Sequence, residues 1–212
     1  MKTDALLDLL VADLEPVRLR FRSRLRLELA CGGLLAGLIL LIAIHLRPDL
    51  GAQLASPRLW FKFAATLTLS LASLGLVLRL ATPGAEVKPW LRALFLVPLV
   101  LAFGVLAEAV ATPASSWAAR VIGHNAPFCV TLIPLLSAAP LACLLHALRR
   151  AAPADPGLAG AVAGLLAGGV GATLYALHCT DDSPFFVAAW YSSAIAIVTL
   201  IGYAAGRRWL RW

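Results

Sequence analysis

Residues 158–206 read LAGAVAGLLAGGVGATLYALHCTDDSPFFVAAWYSSAIAIVTLIGYAAG, two long apolar runs either side of one short polar gap. A helix needs about 20 mostly apolar residues to cross roughly 30 Å of hydrocarbon, and each run has that length. The rest of the chain repeats the pattern. Six runs qualify, at about 27–46, 59–80, 92–111, 128–147, 158–177 and 187–206. Composition agrees, because 61% of the 212 residues are hydrophobic and only 14% are charged, where an ordinary soluble domain carries about 25% charge. The expected fold is an all-α membrane protein, with six transmembrane helices in one bundle over residues 27–212, preceded by a leader over residues 1–26. A strand barrel is disfavoured, since its segments are short and alternate in polarity.

Helix punctuation supports these boundaries. Ser56-Pro57, Asp155-Pro156 and Ser183-Pro184 each set a capping side chain before a proline suited to the first helical turn. Within the fifth run, Gly160, Gly164 and Gly168 recur at intervals of four, followed by Gly169 and Gly171, which lets a neighbouring helix approach closely. Gly33 with Gly37 and Gly202 with Gly206 repeat that spacing. The leader is too long and too charged for a signal peptide, so the first run is kept as a span.

Charge sets the orientation. With a cytoplasmic N-terminus, every basic residue except Arg47, Arg58, Lys62 and Arg120 falls on the inner side or at its edge, so the positive-inside rule puts both termini in the cytoplasm. The net charge of +7 is then a topology signal rather than a sign of direct nucleic-acid binding. On this topology the gap ALHCTDDSPFF (176–186) faces outward, as does GHNAPFC (123–129), so Cys129 and Cys179 share one face.

Three readings of that cysteine pair stand side by side: a structural disulfide in an oxidising compartment, a redox or metal sensor, and plain packing. His124, His178, Asp181 and Asp182 lie beside the thiols. Together with Cys129 and Cys179 they form the thiolate, imidazole and carboxylate set that a thiophilic metal would favour. The bland alternative makes the two Asp solvated turn residues and His178 an interfacial anchor. Lys62 and Glu108 lie about one turn inside the same face, placed to pair with each other unless Lys62 snorkels outward. Cys31 and Cys143 fall in the inner halves of their spans, where small apolar packing is expected. No paired intramembrane carboxylates, HExxH or GxSxG pattern points to an enzyme, and the intramembrane charges cluster at the edges rather than lining a carrier path. A small transporter or metal-handling protein is the alternative class.

The leader MKTDALLDLLVADLEPVRLRFRSRLR divides at Pro16. Before it, Leu6, Leu7, Leu10, Val11 and Leu14 make one apolar helical face, with Asp4, Asp8 and Glu15 largely opposite. So short a helix is marginal alone and needs a partner or the membrane to bury that face, and the acidic residues around it argue against an anionic leaflet. After Pro16, Arg18, Arg20, Arg22, Arg24 and Arg26 alternate with mostly apolar residues, as a juxtamembrane basic collar or as contacts to an acidic partner.

MKTDALLDLLVADLEPV, the outer Cys129, LAGAVAGLLAGG leading into LYALHCTDDSPFFVAAWY, and the closing GRRWLRW together resemble the NrsF-type family of bacterial multi-spanning anti-sigma factors. The resemblance runs the length of the chain and is most specific at LYALHCTDDSPFFVAAWY. It implies no enzymatic activity. It implies a leader that holds an extracytoplasmic-function sigma factor, with Asp4, Leu6, Leu7, Leu10, Val11, Leu14, Glu15, Arg18 and Arg20 as the expected contacts. It also implies that Cys129 and Cys179 sense oxidants or thiophilic metals, and it leaves Cys31 and Cys143 outside the pattern.

Overall fold

The computed structural model describes residues 17–81 and 85–211, with side chains from Phe21 onward. Asp4, Leu6, Leu7, Leu10, Val11, Leu14 and Glu15 of the leader lie outside the described residues, and of Arg18 and Arg20 only the backbone is described. Among the described residues there is no strand, and six helical segments are long and apolar enough to cross a membrane. They are α1 (Phe21–Ile44), α2 (Pro57–Leu80), α3 (Lys88–Ala111), α4 (Ala126–Arg149), α5 (Pro156–Tyr175) and α6 (Pro184–Trp209).

Apart from the start of the first helix, the expected boundaries hold to within a few residues, for identifiable reasons. The prolines at 57, 156 and 184 stand at the first turns of α2, α5 and α6. Asp155 closes the cap of α5 by accepting from the Leu158 amide at 2.9 Å, which satisfies one of the donors that a helix start leaves open. The first helix begins earlier than its apolar run, at Val17. The backbone of the basic stretch from Val17 to Arg26 is thus helical and continuous with the first span, as suits arginine, a good helix former. Two π turns interrupt the regular winding, Leu40–Ile44 at the end of α1 and Val187–Tyr191 near the start of α6. The third helix is broken at Phe95.

The glycine-rich α5 is the axis of the bundle, and α6, α4 and α2 pack around it. Its glycines explain how. A Cβ on Gly160 would collide with the Gly202 carbonyl, and one on Gly164 would lie 2.7 Å from the Thr199 Cα and the Val198 oxygen. On another side of α5, a Cβ on Gly171 would meet the Ser137 hydroxyl and the Ile133 carbonyl of α4. Backbone therefore lies directly on backbone along the α5–α6 seam, the close approach that small residues permit when lipid supplies no hydrophobic drive. The Gly202 and Gly206 pair is the other half of this seam. Gly33 and Gly37 face open space instead, and the close contact of α1 is made by Gly32 against Pro140 of α4. The outer helices α1 and α3 are mostly exposed.

Two cores stack along the bundle. One gathers Ile133, Tyr175, Phe186 and Tyr191 around Cys129 and Cys179. The other, with Leu25, Leu148 and Leu210, shows that the two described ends of the chain lie together at the opposite end of the bundle. Replacing Gly164 by Val puts a branched side chain against immovable backbone, an overpacking expected to cost about 1–3 kcal/mol or more. Thermal unfolding of the detergent-purified protein should show the loss, while Gly33→Val, with nothing nearby, should leave the transition within a degree or two.

Candidate functional site

Cys129 sits in the first turn of α4 and Cys179 in the link between α5 and α6; both side chains are 0% exposed. The two thiols are free and neighbours, near enough that each influences the other's ionisation. Cys179 also lies 3.8 Å from the Asp181 carbonyl oxygen. Tyr175 and Tyr191 wall the pair, their rings 5.9 Å apart. Both hydroxyls are buried without a partner of good hydrogen-bond geometry, and the thiols are enclosed with them. Hydrogen bonding from Cys129 holds the Cys179 thiol below the usual thiol range against the opposing effect of burial, and the nearby Lys62 ammonium acts in the same direction.

That ammonium is fully buried. Its Nζ donates to the Cys179 carbonyl at 3.0 Å and pairs with Asp182 Oδ1 at 2.6 Å, 5.7 Å above the centre of the Tyr191 ring. Arg47, only 4% exposed, approaches from the end of α1. Its Nη1 donates to the same Cys179 carbonyl at 3.0 Å and to both Asp182 oxygens at 2.8 and 3.0 Å, while Nε and Nη2 bind Asp49 at 2.7 and 2.9 Å. The Asp49 partner holds the Arg47 guanidinium above its ordinary pKa. Two buried cations thus share one largely buried carboxylate, Asp182, an arrangement that repays desolvation only when every donor is used.

Asp181 does a different job. Its Oδ2 accepts from the backbone amides of His124 and Asn125 at 2.9 and 2.8 Å and from Asn125 Nδ2 at 2.9 Å, fixing the loop that leads into α4 and Cys129. The same loop turns at Gly123, whose φ of +58° suits glycine, and a Cβ there would strike the Phe186 ring. His178 hydrogen-bonds through Nδ1 to the His45 carbonyl at 2.9 Å. The crowded polar gap therefore ties three elements together: the end of α1 through Arg47 and His45, α2 through Lys62, and the start of α4 through His124 and Asn125.

Several expectations are corrected. Lys62 and Glu108 do not pair. Glu108 takes Arg58 at 3.0 Å and Arg120 at 2.7 Å, and Lys62 faces inward to Asp182, because depth in the bundle sets the level of a charge but not its direction. Asp182 is no solvated turn residue. The six-residue metal set is not brought together: among the described residues no three His, Cys, Asp or Glu side chains converge on one point. The thiols of Cys129 and Cys179 meet, whereas His124 sits on Asp181, His178 on His45, and Asp182 between two cations. Cys31 is exposed on α1 and does not pack in the core, and Cys143 is half-buried. Sequence reading missed Arg47, Tyr175 and Tyr191. A cavity of about 530 Å³ opens above the ion cluster, lined by Arg58, Arg120, His124, Thr180, Asp181 and Asp182 among others.

Comparison with known proteins places the whole chain. The profile described as NrsF, negative regulator of sigma F, matches residues 10–212. The chain belongs to the NrsF family. It is similar to the anti-sigma-F factor NrsF of Caulobacter vibrioides, 38% identical with both chains covered in full. It is also similar to a probable anti-sigma-F factor NrsF of Azospira oryzae, 34% identical over the full length of both. No solved structure matches. For this NrsF-family chain the family name implies a regulatory rather than a catalytic role.

Two outcomes follow from the charges. Lys62→Met strips Asp182 of one of its two cations and should destabilise the protein by roughly 3–5 kcal/mol, the range for breaking a buried pair, with part recovered when Asp182→Asn is added; thermal melts of the single and double variants measure both. Burial pushes the Asp181 carboxyl up, but the amides of Asn125 and His124 more than offset this and hold it below the usual value. A carboxyl lowered on folding contributes stability above its unfolded pKa of about 3.9 and loses it as pH falls through the folded value. Melting temperature should therefore fall on acidification below about pH 4, and Asp181→Asn should flatten that part of the curve.

Proposed function

We propose that this chain is an anti-sigma factor of the bacterial inner membrane that sequesters an extracytoplasmic-function sigma factor through its cytoplasmic leader and releases it when Cys129 and Cys179, on the outer side, sense oxidative or heavy-metal stress. The observation that carries the reading is the thiol pair itself: two buried, unjoined, adjacent sulfurs where packing alone would be served by any small apolar residue. A disulfide can join them, or a soft cation can bridge them as thiolates, and either event alters that enclosure. The full-length relatives named as anti-sigma-F factors support the partner class. The positive-inside bias supports the orientation, with the leader on the side where a sigma factor works.

In the resting state the leucine face of residues 6–14 lies in a groove of the sigma factor, and the basic stretch that opens the first helix adds charge contacts. Moving such a complex from 99:1 bound to 1:99 takes about 5.5 kcal/mol of differential stabilisation. A two-electron thiol couple supplies that through a difference of roughly 120 mV between the two states. One disulfide is sufficient in energy.

The test is capture of the cognate sigma factor by full-length protein and by protein lacking residues 1–26, with and without oxidant, beside Cys129→Ser and Cys179→Ser. Leader-dependent capture that oxidant abolishes only when both thiols are present is the expected result. A full-length protein that captures no sigma factor in unstressed cells sinks the assignment.

A further inference from the structure

Resting on that reading, we propose that Arg47 is the coupling residue of the sensor, the tie through which a change at Cys179 is felt by α1 and hence by the leader. Four polar links join residues 45–47 to residues 177–182 and bracket Cys179 on both sides. The Arg47 amide donates to the Leu177 carbonyl at 3.1 Å and His178 Nδ1 to the His45 carbonyl at 2.9 Å. On the far side Arg47 Nη1 holds the Cys179 carbonyl at 3.0 Å and Asp182 at 2.8 Å. The remaining arms of the same guanidinium hold Asp49, so one planar fork spans two segments and its position is fixed from both.

Forming a disulfide has to disturb this tie. A sulfur–sulfur bond is about 2.05 Å long, and the two thiols are unjoined, so the sulfurs must draw together when the bond forms. With hydrogen peroxide as oxidant, the two thiols together give up two protons and two electrons, the S–S bond forms, the O–O bond breaks, and two waters leave. Asp181 holds the α4 side of the link through the His124 and Asn125 amides, which leaves the Cys179 peptide to take up the displacement. Its carbonyl is the group that Arg47 and Lys62 share. Lys62 projects from α2, which packs on the bundle axis, and is enclosed on all sides. Arg47 follows the π turn Leu40–Ile44 and the left-handed His45 (φ 67°) at the end of a mostly exposed helix. Of the two holders, Arg47 is the one placed to follow.

Full-length protein in native membranes carrying Arg47→Met separates coupling from sensing, with Arg47→Lys as the milder change that keeps one charge but loses the fork. Two readouts are taken after hydrogen peroxide: the Cys129–Cys179 disulfide by thiol-blocking gel shift, and capture of the cognate sigma factor. Arg47→Met is expected to hold sigma factor within about twofold of wild type before peroxide and to form the disulfide. It should then retain on the order of tenfold more sigma factor than wild type after peroxide. Arg47→Lys should fall between them, and it carries the test alone if Arg47→Met does not accumulate. Release indistinguishable from wild type in a variant that forms the disulfide overturns the coupling role, as does loss of capture before peroxide in a folded variant. Wild-type protein that forms no disulfide and keeps its sigma factor overturns the sensor reading and this inference together, a result visible before any variant is made.

Discussion

One carboxylate holds the thiol end of the molecule together. Asp182 neutralises Lys62 and Arg47 at once, and without it two cations would be enclosed with only Asp49, itself 42% exposed, as counter-charge. Enclosed charges of one sign are costly enough that helices carrying them do not pack against each other. Because Asp182 is placed by the link between α5 and α6, the ends of α1 and α2 can close over that link only when it is folded. The Cys179 carbonyl is then clamped by both cations, and the sulfur is left facing Cys129. Thiol placement and bundle closure thus meet at one carboxylate, Asp182.

Much of this was legible in the chain. Run length and composition gave six helices, and proline gave three of their starts to the residue, because both signals are local; of the three residues expected to cap, Asp155 does so, while Ser56 and Ser183 make no side-chain cap hydrogen bond. The glycines of residues 160–171 pointed to close helix packing, and Gly202 and Gly206 proved to be the facing half of that seam. Cys129 and Cys179 were placed at one end because helix count fixes which links share a side.

What the chain did not reveal was direction within the plane of the bundle. Lys62 and Glu108 are at one level, and level is all that sequence depth conveys; the rotation of each helix about its axis decided that Lys62 faces the core while Glu108 faces Arg58 and Arg120. The six candidate metal ligands do not converge for the same reason, since neighbours in sequence around residues 178–182 point to three different elements. Arg47 was read only as an outer positive charge. A basic residue three positions beyond a helix end has many possible partners, and the burial that makes this one informative is a property of the folded chain.

The exposure of α1 has a mechanical meaning. In water, moving a helix off a core exposes apolar surface at about 25 cal/mol per Å². In a bilayer, lipid tails replace the protein neighbour, and that penalty largely vanishes. Few α1 side chains, Leu25, Ala36 and Leu40 among them, are buried deeply. The helix that leads back to the N-terminal segment is therefore a loosely solvated stave, whose position the hydrophobic effect barely constrains and whose polar end contacts do most to define it.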